Sequence, residues 1–486
     1  MKILLIYPVP PREYWPRGIF RSGSLPSGIA YIARSLINAG HDVRVHVREE
    51  QLVKCNLDWE YADEQLRKKL AVFMPDIVGL SILTPSMPEG GWIAELTKKI
   101  CGMETMVVTG GVHPTALPEE TLQDYPAIDV ICVGEGETTL VELAEKGISS
   151  DVPGLVYRDS NKIVHTPKRK AVKELDTLGF PAYELFDMDY YTKPTRCLIR
   201  WIPLKTTNIL TSRGCTNACK FCAGHLVGGV GVRYRSIEHV IEEIAMLVEN
   251  YGFEALYFED DTMGADLDRL QRLCQAFRKN GFDKLKWFCC LRVDQAKEEI
   301  LKEMKASGCI QIEYGFESGS DAALKRLSKG ASVELNRRAV SLTRNAGIRV
   351  FANIMFALPE ETEQEFKATV DFVRWAKPDI INACCLSPLP GTPIYRNLPE
   401  EIKNTIEWGE YSYHEDLGIR INLSAIPTDR LRTLYHRFCR YIYRPHTIYS
   451  LLRDTPEHDS LSRKTFARRY HRFLLHHPIA AIRLPR

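Results

Sequence analysis

The sequence has no long hydrophobic run and no export signal. Its N-terminus, MKILLIYPVPP, contains one lysine and an apolar run of five residues that stops at Pro8. Such a run is too short for the core of a signal peptide. Elsewhere no segment approaches the roughly 18 uninterrupted apolar residues of a membrane-spanning helix. These absences predict a cytoplasmic protein in a reducing compartment, where structural disulfides are rare.

Extreme composition and extreme net charge are also absent. The 486 residues are 45% hydrophobic and 26% charged, with a net charge of +2. These values are typical of a globular protein with about two to four domains. Fourteen cysteines are spread along the chain, and scattered ones such as Cys55, Cys274 and Cys309 are expected to be buried small hydrophobic residues. Only a clustered set of cysteines is therefore a ligand candidate.

Through about residue 147, β-branched apolar segments alternate with segments of helical period. The strand candidates include KILLIY, DVRVHV, DIVGLSIL, TMVVTGG and DVICVGEGE. This alternation predicts an α/β, Rossmann-like, doubly wound parallel sheet, whose ligand lies beyond the carboxyl ends of the strands. Those ends carry hydroxyl groups and glycines, namely Ser81, Thr84, Gly110, Gly111 and Gly134. Each is typical of a tight turn by itself, but together they favour a binding site.

Residues 148–205 are too polar and too often interrupted by proline to predict a core, so we expect a linker with a short hairpin. A second alternating region follows over 206–400. Its six strand candidates are NILTS, ALYFED, LKWFCCLR, CIQIEYGFES, VFANIMF and IINACCLSPLP. Six β/α units at this spacing predict a partial barrel with its chemistry at the carboxyl ends of the strands. We expect residues 401–486 to form a small basic helical region.

Three cysteines cluster in the segment SRGCTNACKFCAG, at Cys215, Cys219 and Cys222. A structural zinc site needs four ligands, and His225 follows at a spacing that suits a fourth. Iron–sulfur clusters prefer four thiolates, so a 4Fe-4S cluster on three cysteines leaves one iron open for a substrate or cofactor. The missing fourth cysteine favours this open cluster over zinc.

In its position at the mouth of the first barrel strand, this motif resembles that of the radical S-adenosylmethionine (SAM) superfamily, and the resemblance extends from residue 208 to about 395. It implies a 4Fe-4S cluster whose open iron binds SAM, a 5′-deoxyadenosyl radical, and a reductant such as flavodoxin or ferredoxin. The implied SAM contacts are Phe221 and Pro388 at the adenine, Glu259, Asp260 or Asp261 at the amino group, Arg292 at the carboxylate, and Glu317 with Ser318 near the ribose. The segment FANIMFALPEET departs from the family, which often has glycine where this chain has Ala352 and Ala357.

The segments LPSGIAYIARSLINAGHDV, DIVGLSILTPS, VVTGGVHPTALPEE and GEGE resemble the cobalamin-binding domain of class B radical SAM enzymes, over about residues 1–145. The resemblance implies that the backbone around the five strand-end residues named above holds the corrin ring and its nucleotide tail. No Asp-x-His-x-x-Gly sequence is present, so no histidine from that loop is expected to bind cobalt. The sequence allows two roles for His113, as a cobalt ligand or as a turn histidine before Pro114.

With both cofactors, the two strand-end sites are expected to face each other with the substrate between them. The predicted function is C-methylation of an unactivated carbon after hydrogen abstraction by the radical. An alternative, which the motifs do not separate, resembles the anaerobic magnesium-protoporphyrin ester cyclase. A methylthiotransferase would need three further cluster cysteines, and Cys55, Cys101 and Cys132 are too isolated to supply them. A cobalamin sensor without catalysis would not need the Cys215 cluster.

The C-terminal segment interleaves arginine, histidine and aromatic residues, and residues 427–486 hold 13 Lys and Arg against 4 Asp and Glu. Such composition can bind nucleic acid or an anionic membrane surface, or it can cover the barrel mouth with a basic helical face. We favour the cover, and next a peripheral membrane contact. Nucleic acid is not an expected partner because no binding module is recognisable. The expected substrate is a small or lipid-like molecule.

Overall fold

Two large sheets, one from each half of the chain, organise the computed structural model, which describes residues 1–14, 23–160, 162–195, 198–199, 202–411 and 421–442. The strands are β1 Lys2–Tyr7, β2 Asp42–Val47, β3 Ile77–Ser81, β4 Met106–Gly110, β5 Val130–Cys132, β6 Leu155–Asp159, β7 Lys162–His165, β8 Thr206–Ile209, β9 Ser212–Arg213, β10 Arg233–Tyr234, β11 Ala255–Phe258, β12 Lys286–Leu291, β13 Cys309–Glu317, β14 Arg349–Phe356 and β15 Ile380–Cys385.

Helices connect most of these strands, as expected for parallel sheets. They are α1 Ser27–Asn38, α2 Arg48–Lys54, α3 Trp59–Phe73, α4 Met87–Cys101, α5 Val112–Ala116, α6 Pro118–Asp124, α7 Glu137–Lys146, α8 Met188–Tyr191, α9 His225–Gly228, α10 Ile237–Tyr251, α11 Leu267–Lys279, α12 Glu298–Ala306, α13 Asp321–Arg326, α14 Val333–Asn345, α15 Glu363–Ala376, α16 Pro393–Arg396, α17 Glu400–Lys403 and α18 Thr428–Ile442. In the described residues, no helix is long and apolar enough to cross a membrane.

The first sheet has the order β2-β1-β3-β4-β5-β6-β7, and its strands β1 to β5 are parallel. Alternate residues of β1 enter different cores. Ile3 and Leu5 pack on one face with residues of α1 and α7, whereas Leu4 and Ile6 pack on the other face with residues of α3 and α4. Both faces are therefore covered by helices, which confirms the predicted doubly wound sheet.

The expectation that residues 148–205 contribute no core was wrong. Strand β6 pairs antiparallel with β5, and β7 pairs with β6, so the hairpin extends the first sheet. The hairpin satisfies backbone groups that an exposed edge at β5 would leave unpaired. Farther along, Tyr183 and Tyr191 are buried in the core of the first domain. The Tyr183 hydroxyl donates to Glu243 on α10 at 2.6 Å, so this segment packs between the two domains.

The second sheet has the order β15-β14-β13-β12-β11-β8, with every neighbouring pair parallel. Residues that point outward, such as Phe258 and Ile354, are fully buried beneath the surrounding helices. Inward residues of β11, β13 and β14, namely Tyr257, Glu313 and Asn353, are partly exposed. The sheet is therefore an open six-stranded barrel, as predicted for this half of the chain, and solvent reaches these inward positions.

Helix α18 lies in the region 401–486, which was predicted to be basic and helical. Its residues Leu431, Tyr435 and Phe438 are buried in the barrel core, and the Tyr435 hydroxyl donates to the Ala383 carbonyl at 3.0 Å. The rings of Tyr435 and Phe438 contact Phe356 of β14 edge-on. This helix therefore packs on the outer side of the last strands. Residues 443–486, on which the prediction of a basic cover mainly rests, lie outside the described residues.

Candidate cluster and cobalamin sites

The three clustered cysteines lie on one loop, residues 214–232, whose two ends are joined by the ribbon β9 and β10. Gly214 begins this loop with φ = 96°, and a Cβ there would lie 2.2 Å from the Gly231 carbonyl oxygen. Only glycine fits this position without movement of the backbone. The Gly214 N–H donates to the Asp261 carboxylate at 3.0 Å. We call residues 214–232 the cluster loop.

The thiols of Cys215, Cys219 and Cys222 are free and lie within electrostatic reach of one another. Burial raises the pKa of Cys219, and the neighbouring Lys329 and Arg292 oppose that effect. Burial also raises the pKa of Cys222, against a hydrogen bond from the Gly224 N–H at 3.4 Å. Metal coordination requires thiolates, so the two cations lower the cost of forming one at Cys219.

The donor set fits an iron–sulfur cluster better than zinc. In the described part of the chain, no three His, Cys, Asp or Glu side chains converge on a point where a single metal ion would sit. Zinc held by the cysteines and His225 would require such convergence. A 4Fe-4S cluster bonds each thiolate to a different iron, so its three cysteine ligands remain apart.

Two cations lie beside Cys219, namely Arg292, which the resemblance implied, and Lys329, which no sequence motif indicated. The Lys329 ammonium pairs with Glu317 at 2.7 Å and lies 5.7 Å from the centre of the Phe221 ring. Burial disfavours the charge on Lys329, but Glu317 outweighs it and the pKa of Lys329 is raised. Arg292 donates to the Lys329 and Gly330 carbonyls, both at 3.1 Å. No local sequence pattern marks Lys329, because it reaches the cluster loop only through the tertiary fold.

The middle of the cluster loop is held between two distant segments. The Lys220 N–H donates to the Leu327 carbonyl at 3.0 Å, and the Ile394 N–H donates to the Lys220 carbonyl at 3.3 Å. Phe221 packs against a small apolar cluster that includes Leu327, Leu386 and Ile394. Pro388, also proposed to line the adenine pocket, is buried just beyond Leu386. The structure thus brings Phe221 to the segment after the last barrel strand.

The three acidic residues after β11 point to different partners. The Glu259 carboxylate accepts hydrogen bonds from Ser27 and Asn208, both at 2.7 Å. Asp260 is buried and accepts from the Thr211 N–H, the Thr211 hydroxyl and the Ser212 hydroxyl at 2.6, 2.6 and 2.7 Å. Asp261 is exposed and accepts from Gly214, so it is the acid of the three that hydrogen-bonds to the cluster loop.

The two candidates for the ribose are also separated. Glu317 is engaged by Lys329, near the cluster loop. Ser318 is fully buried, and its hydroxyl is hydrogen-bonded to Thr369 at 3.0 Å, so the structure places it in the interior. Of the two alanines that depart from the family pattern, Ala352 is buried in β14, and Ala357 has φ = 58°. Ala357 thus adopts the left-handed conformation that glycine adopts more easily.

A pocket opens at the carboxyl ends of the first sheet. It is lined by Leu5, Ile29, Ile32, Gly79, Leu80, Ser81, Val108, Thr109, Gly110, Gly111, Cys132, Gly134, Gly136 and Leu140. Four of the five predicted strand-end residues are in this lining. The fifth, Thr84, is buried in a single 3-10 turn, Thr84–Ser86, outside the lining.

Glycines keep this pocket open. A Cβ at Gly79 would lie 2.7 Å from Leu5, and one at Gly136 would lie 2.8 Å from Ile32. Gly134 has φ = 84° and no atom within 4 Å of a Cβ, so the backbone there faces open space. An apolar cradle with exposed glycine backbone suits the nucleotide tail of a corrin, which binds by shape and by backbone contact. Gly79 was not among the predicted site residues, although a glycine inside a strand such as β3 often marks the close approach of a ligand or of another backbone.

His113 lies in α5, just after β4, but it does not line the pocket. Its side chain is buried, its ring meets that of Trp408 edge-on at 4.8 Å, and its Nδ1 has no hydrogen-bond partner. Burial lowers the pKa of His113 to about 4, so the ring is neutral at physiological pH. Of the two roles considered for His113, these contacts favour a buried turn histidine over a cobalt ligand.

We expect His113→Phe to reduce the acid sensitivity of the fold. The His113 pKa is about 4 in the folded protein and 6.5 ordinarily, so the unfolded chain gains a proton first as the pH falls. The stability that neutral His113 contributes is present above pH 6.5 and is lost as the pH falls toward 4. From pH 7 to pH 5, wild type should lose about 2 kcal/mol more free energy of unfolding than the variant. Denaturant titrations at both pH values test this, and parallel losses would contradict it.

The carboxyl ends of the two large sheets meet, as the sequence predicted. Asn208 at the end of β8 exchanges hydrogen bonds with the Leu25 backbone at 2.7 and 2.8 Å. Ser27, the first residue of α1, donates to Glu259 beyond β11. These contacts join residues about 180 positions or more apart in the chain. The two domains are therefore in direct contact at the carboxyl ends of β8 and β11.

Comparison with known proteins identifies both halves. Residues 22–144 match the model of the B12 binding domain, and residues 209–373 match the Radical SAM superfamily. The fold resembles that of the cobalamin-dependent S-adenosylmethionine radical enzyme OxsB, solved with aqua-cobalamin and S-adenosylmethionine bound. That comparison has a TM-score of 0.73 at 18% identity and covers 99% of this chain and 71% of the other.

Related sequences carry names of different activities. An uncharacterized methyltransferase of Pyrococcus horikoshii is 29% identical over 464 residues, covering 94% of this chain and 95% of the relative. The anaerobic magnesium-protoporphyrin IX monomethyl ester cyclase of Cereibacter sphaeroides is 27% identical over 429 residues, covering 85% and 66%. With a B12 binding domain followed by a radical SAM domain, the chain belongs to the family of cobalamin-dependent radical SAM enzymes.

Proposed function

We propose that this protein is a cobalamin-dependent radical SAM methyltransferase that adds a methyl group to an unactivated carbon. The observation that carries the proposal is that the two sites adjoin, because Glu135, which lies between two glycines that line the pocket, pairs with Arg213 and Arg233 at the ends of the cluster loop. A short-lived radical reacts productively only when its partner is already positioned beside it. Two such sites at meeting strand ends favour transfer of a group from one to the other.

The chain offers residues for each part of this function. Cys215, Cys219 and Cys222 would hold the 4Fe-4S cluster, while Ser81, Gly110, Gly111 and Gly134 would hold the corrin. When bound, the cluster with SAM supplies the radical and cobalamin carries the methyl group. A reductant such as flavodoxin or ferredoxin would supply the electron.

Charge and shape around the cluster loop suit SAM. Lys329 and Arg292 present positive charge beside Cys219, as a SAM carboxylate requires. Asp261, which accepts a hydrogen bond from the Gly214 N–H next to Cys215, would accept another from the SAM amino group. Phe221 and the segment at Pro388 would contact the adenine, since both carry flat apolar surface.

The barrel interior bears on the substrate. Asn353 donates to Glu313 at 2.6 Å and Asn382 donates to Asn353 at 2.9 Å, on three neighbouring strands. Their partial exposure suits a substrate with a polar group, whether small or attached to a lipid-like body. The oxidative cyclase is a second candidate, favoured by the relative with that name, at 27% identity.

Labelled SAM separates the two candidates. We would incubate anaerobically reconstituted protein with methyl-labelled SAM, a low-potential reductant and a metabolite extract from a strain that lacks the gene. Methyl transfer predicts a labelled product, with S-adenosylhomocysteine and 5′-deoxyadenosine in about equal amounts, one from each role of SAM. Deoxyadenosine with an unlabelled product and no S-adenosylhomocysteine would reject methyl transfer and favour the cyclase.

A further inference from the structure

Two arginines face each other where the cluster loop closes. Arg213 of β9 and Arg233 of β10 are direct partners in the antiparallel ribbon that joins the ends of this loop. Their side chains are only 14% and 17% exposed. Like charges directly opposite each other destabilise a pair of strands, and burial increases that cost. The ribbon therefore needs negative charge from elsewhere to form.

The first domain supplies that negative charge. The Glu135 carboxylate accepts hydrogen bonds from both terminal nitrogens of the Arg233 guanidinium, at 2.8 and 2.9 Å. It also accepts one hydrogen bond from Arg213 at 3.0 Å. Glu137 accepts the other arm of Arg213 at 2.7 Å. Burial alone would raise the pKa of Glu135, but Arg233 and Arg213 reverse this and lower it. All four charges are largely shielded from water, so salt screens them little.

The same two glutamates flank a wall of the cobalamin pocket. Glu135 lies between Gly134 and Gly136, which both line the pocket, and Glu137 is the first residue of α7. Thr115 accepts the Gly134 N–H through its hydroxyl at 3.1 Å, and Glu135 accepts the Val172 N–H at 3.1 Å. These hydrogen bonds hold the turn at residues 134–136, so the turn cannot move without moving Glu135. The same four charged side chains therefore fix the position of this turn and the closure of the cluster loop.

We propose that Arg213, Arg233, Glu135 and Glu137 are positioning residues that couple the two cofactor sites, so that a formed cluster loop strengthens cobalamin binding and bound cobalamin helps the loop to retain its cluster. The coupling runs in both directions because linked binding equilibria are reciprocal. The proposal goes beyond catalysis, but it rests on the proposed use of cobalamin. It does not depend on the substrate or on methyl transfer.

Hydroxocobalamin tests the coupling without any substrate or SAM. Its dissociation constant would be measured by anaerobic equilibrium dialysis for cluster-loaded protein and for the same protein stripped of iron by a chelator. We expect at least fivefold tighter binding to the loaded form, the lower end of common coupling strengths. In Glu135→Gln, which removes one of the two negative charges at the ribbon, this ratio should fall below twofold.

Glu142→Gln is the matched control. Glu142 lies on the same helix α7 and pairs with Arg169 at 2.9 Å inside the first domain, with no partner in the cluster loop among the described residues. It should keep the wild-type ratio. If Glu135→Gln fails to fold by circular dichroism, Arg233→Lys replaces it, since lysine keeps the charge but cannot match the two-armed contact.

The outcomes separate this inference from the proposed function. Equal hydroxocobalamin affinity of the loaded and stripped wild-type protein would overturn the coupling, as would an unchanged ratio in Glu135→Gln. Either result leaves cobalamin use intact. Absence of hydroxocobalamin binding in both forms would instead contradict the proposed function, and the inference with it.

Discussion

Replacing Cys215, Cys219 or Cys222 with alanine is expected to abolish the iron–sulfur cluster and SAM cleavage together. In the proposed cluster each thiolate would anchor a different iron, and the cluster loop holds no further cysteine that would replace one. Iron and sulfide content after anaerobic reconstitution should fall to background in each variant. Formation of 5′-deoxyadenosine from SAM should be lost in parallel, by several orders of magnitude.

A matched control uses a cysteine outside the cluster loop. Cys55 is partly buried in the first domain, where it packs against a small apolar cluster and its thiol donates to the Leu52 and Asp58 carbonyls. Cys55→Ala should therefore keep wild-type iron content and deoxyadenosine formation. A Cys219→Ala protein with full iron and undiminished deoxyadenosine would reject the assignment of the cluster ligands.

Asp260→Ala is expected to destabilise the barrel by about 3 kcal/mol, because it leaves buried donors without their acceptor and removes a negative charge near the buried Arg269. The lost contacts are those to Thr211 and Ser212, and Arg269 lies close enough for Asp260 to influence its pKa. Since Ser212 belongs to the ribbon that closes the cluster loop, cluster retention should also fall. A shift in the midpoint of urea unfolding, followed by tryptophan fluorescence, measures the loss of stability.

Asp268→Ala provides the comparison, since Asp268 is exposed on α11 and should change stability by less than about 0.5 kcal/mol. The family resemblance implied Asp260 as one candidate contact for the SAM amino group. If that contact were its whole role, Asp260→Ala would keep the wild-type unfolding midpoint and lose only SAM affinity. Such a result would contradict the structural role that the hydrogen bonds indicate.

Local sequence signals were enough to predict a site where the site requires a particular residue type at neighbouring positions of the chain. The three cysteines of the cluster loop are adjacent in the chain, so their spacing alone predicted a shared site. Gly110, Gly111 and Gly134 follow predicted strands, and in parallel sheets such positions converge at one edge. The pocket at that edge contains all three. The two-domain α/β fold followed from alternating periodicity in the same way.

Other predictions failed or stayed open because the deciding contacts are distant in sequence. Residues 148–205 looked too polar for a core, but β6 pairs with β5 and extends the first sheet. The residue pattern of β5 did not show that its outer edge was free to pair with another strand. Glu259, Asp260 and Asp261 are consecutive, and only their neighbours in the fold separate an interdomain contact, a buried support and a group beside the cluster loop.

The sequence by itself determined the fold class, the position of the cluster loop and the edge where the first domain opens, because each depends on spacing along a few residues. The tertiary structure decided which charges surround these sites. Lys329 reaches Cys219, and Glu135 reaches Arg213 and Arg233, across 78 or more positions of chain. Electrostatic pairing acts through space at a few ångströms, and no local pattern records which distant side chains the fold will bring that close.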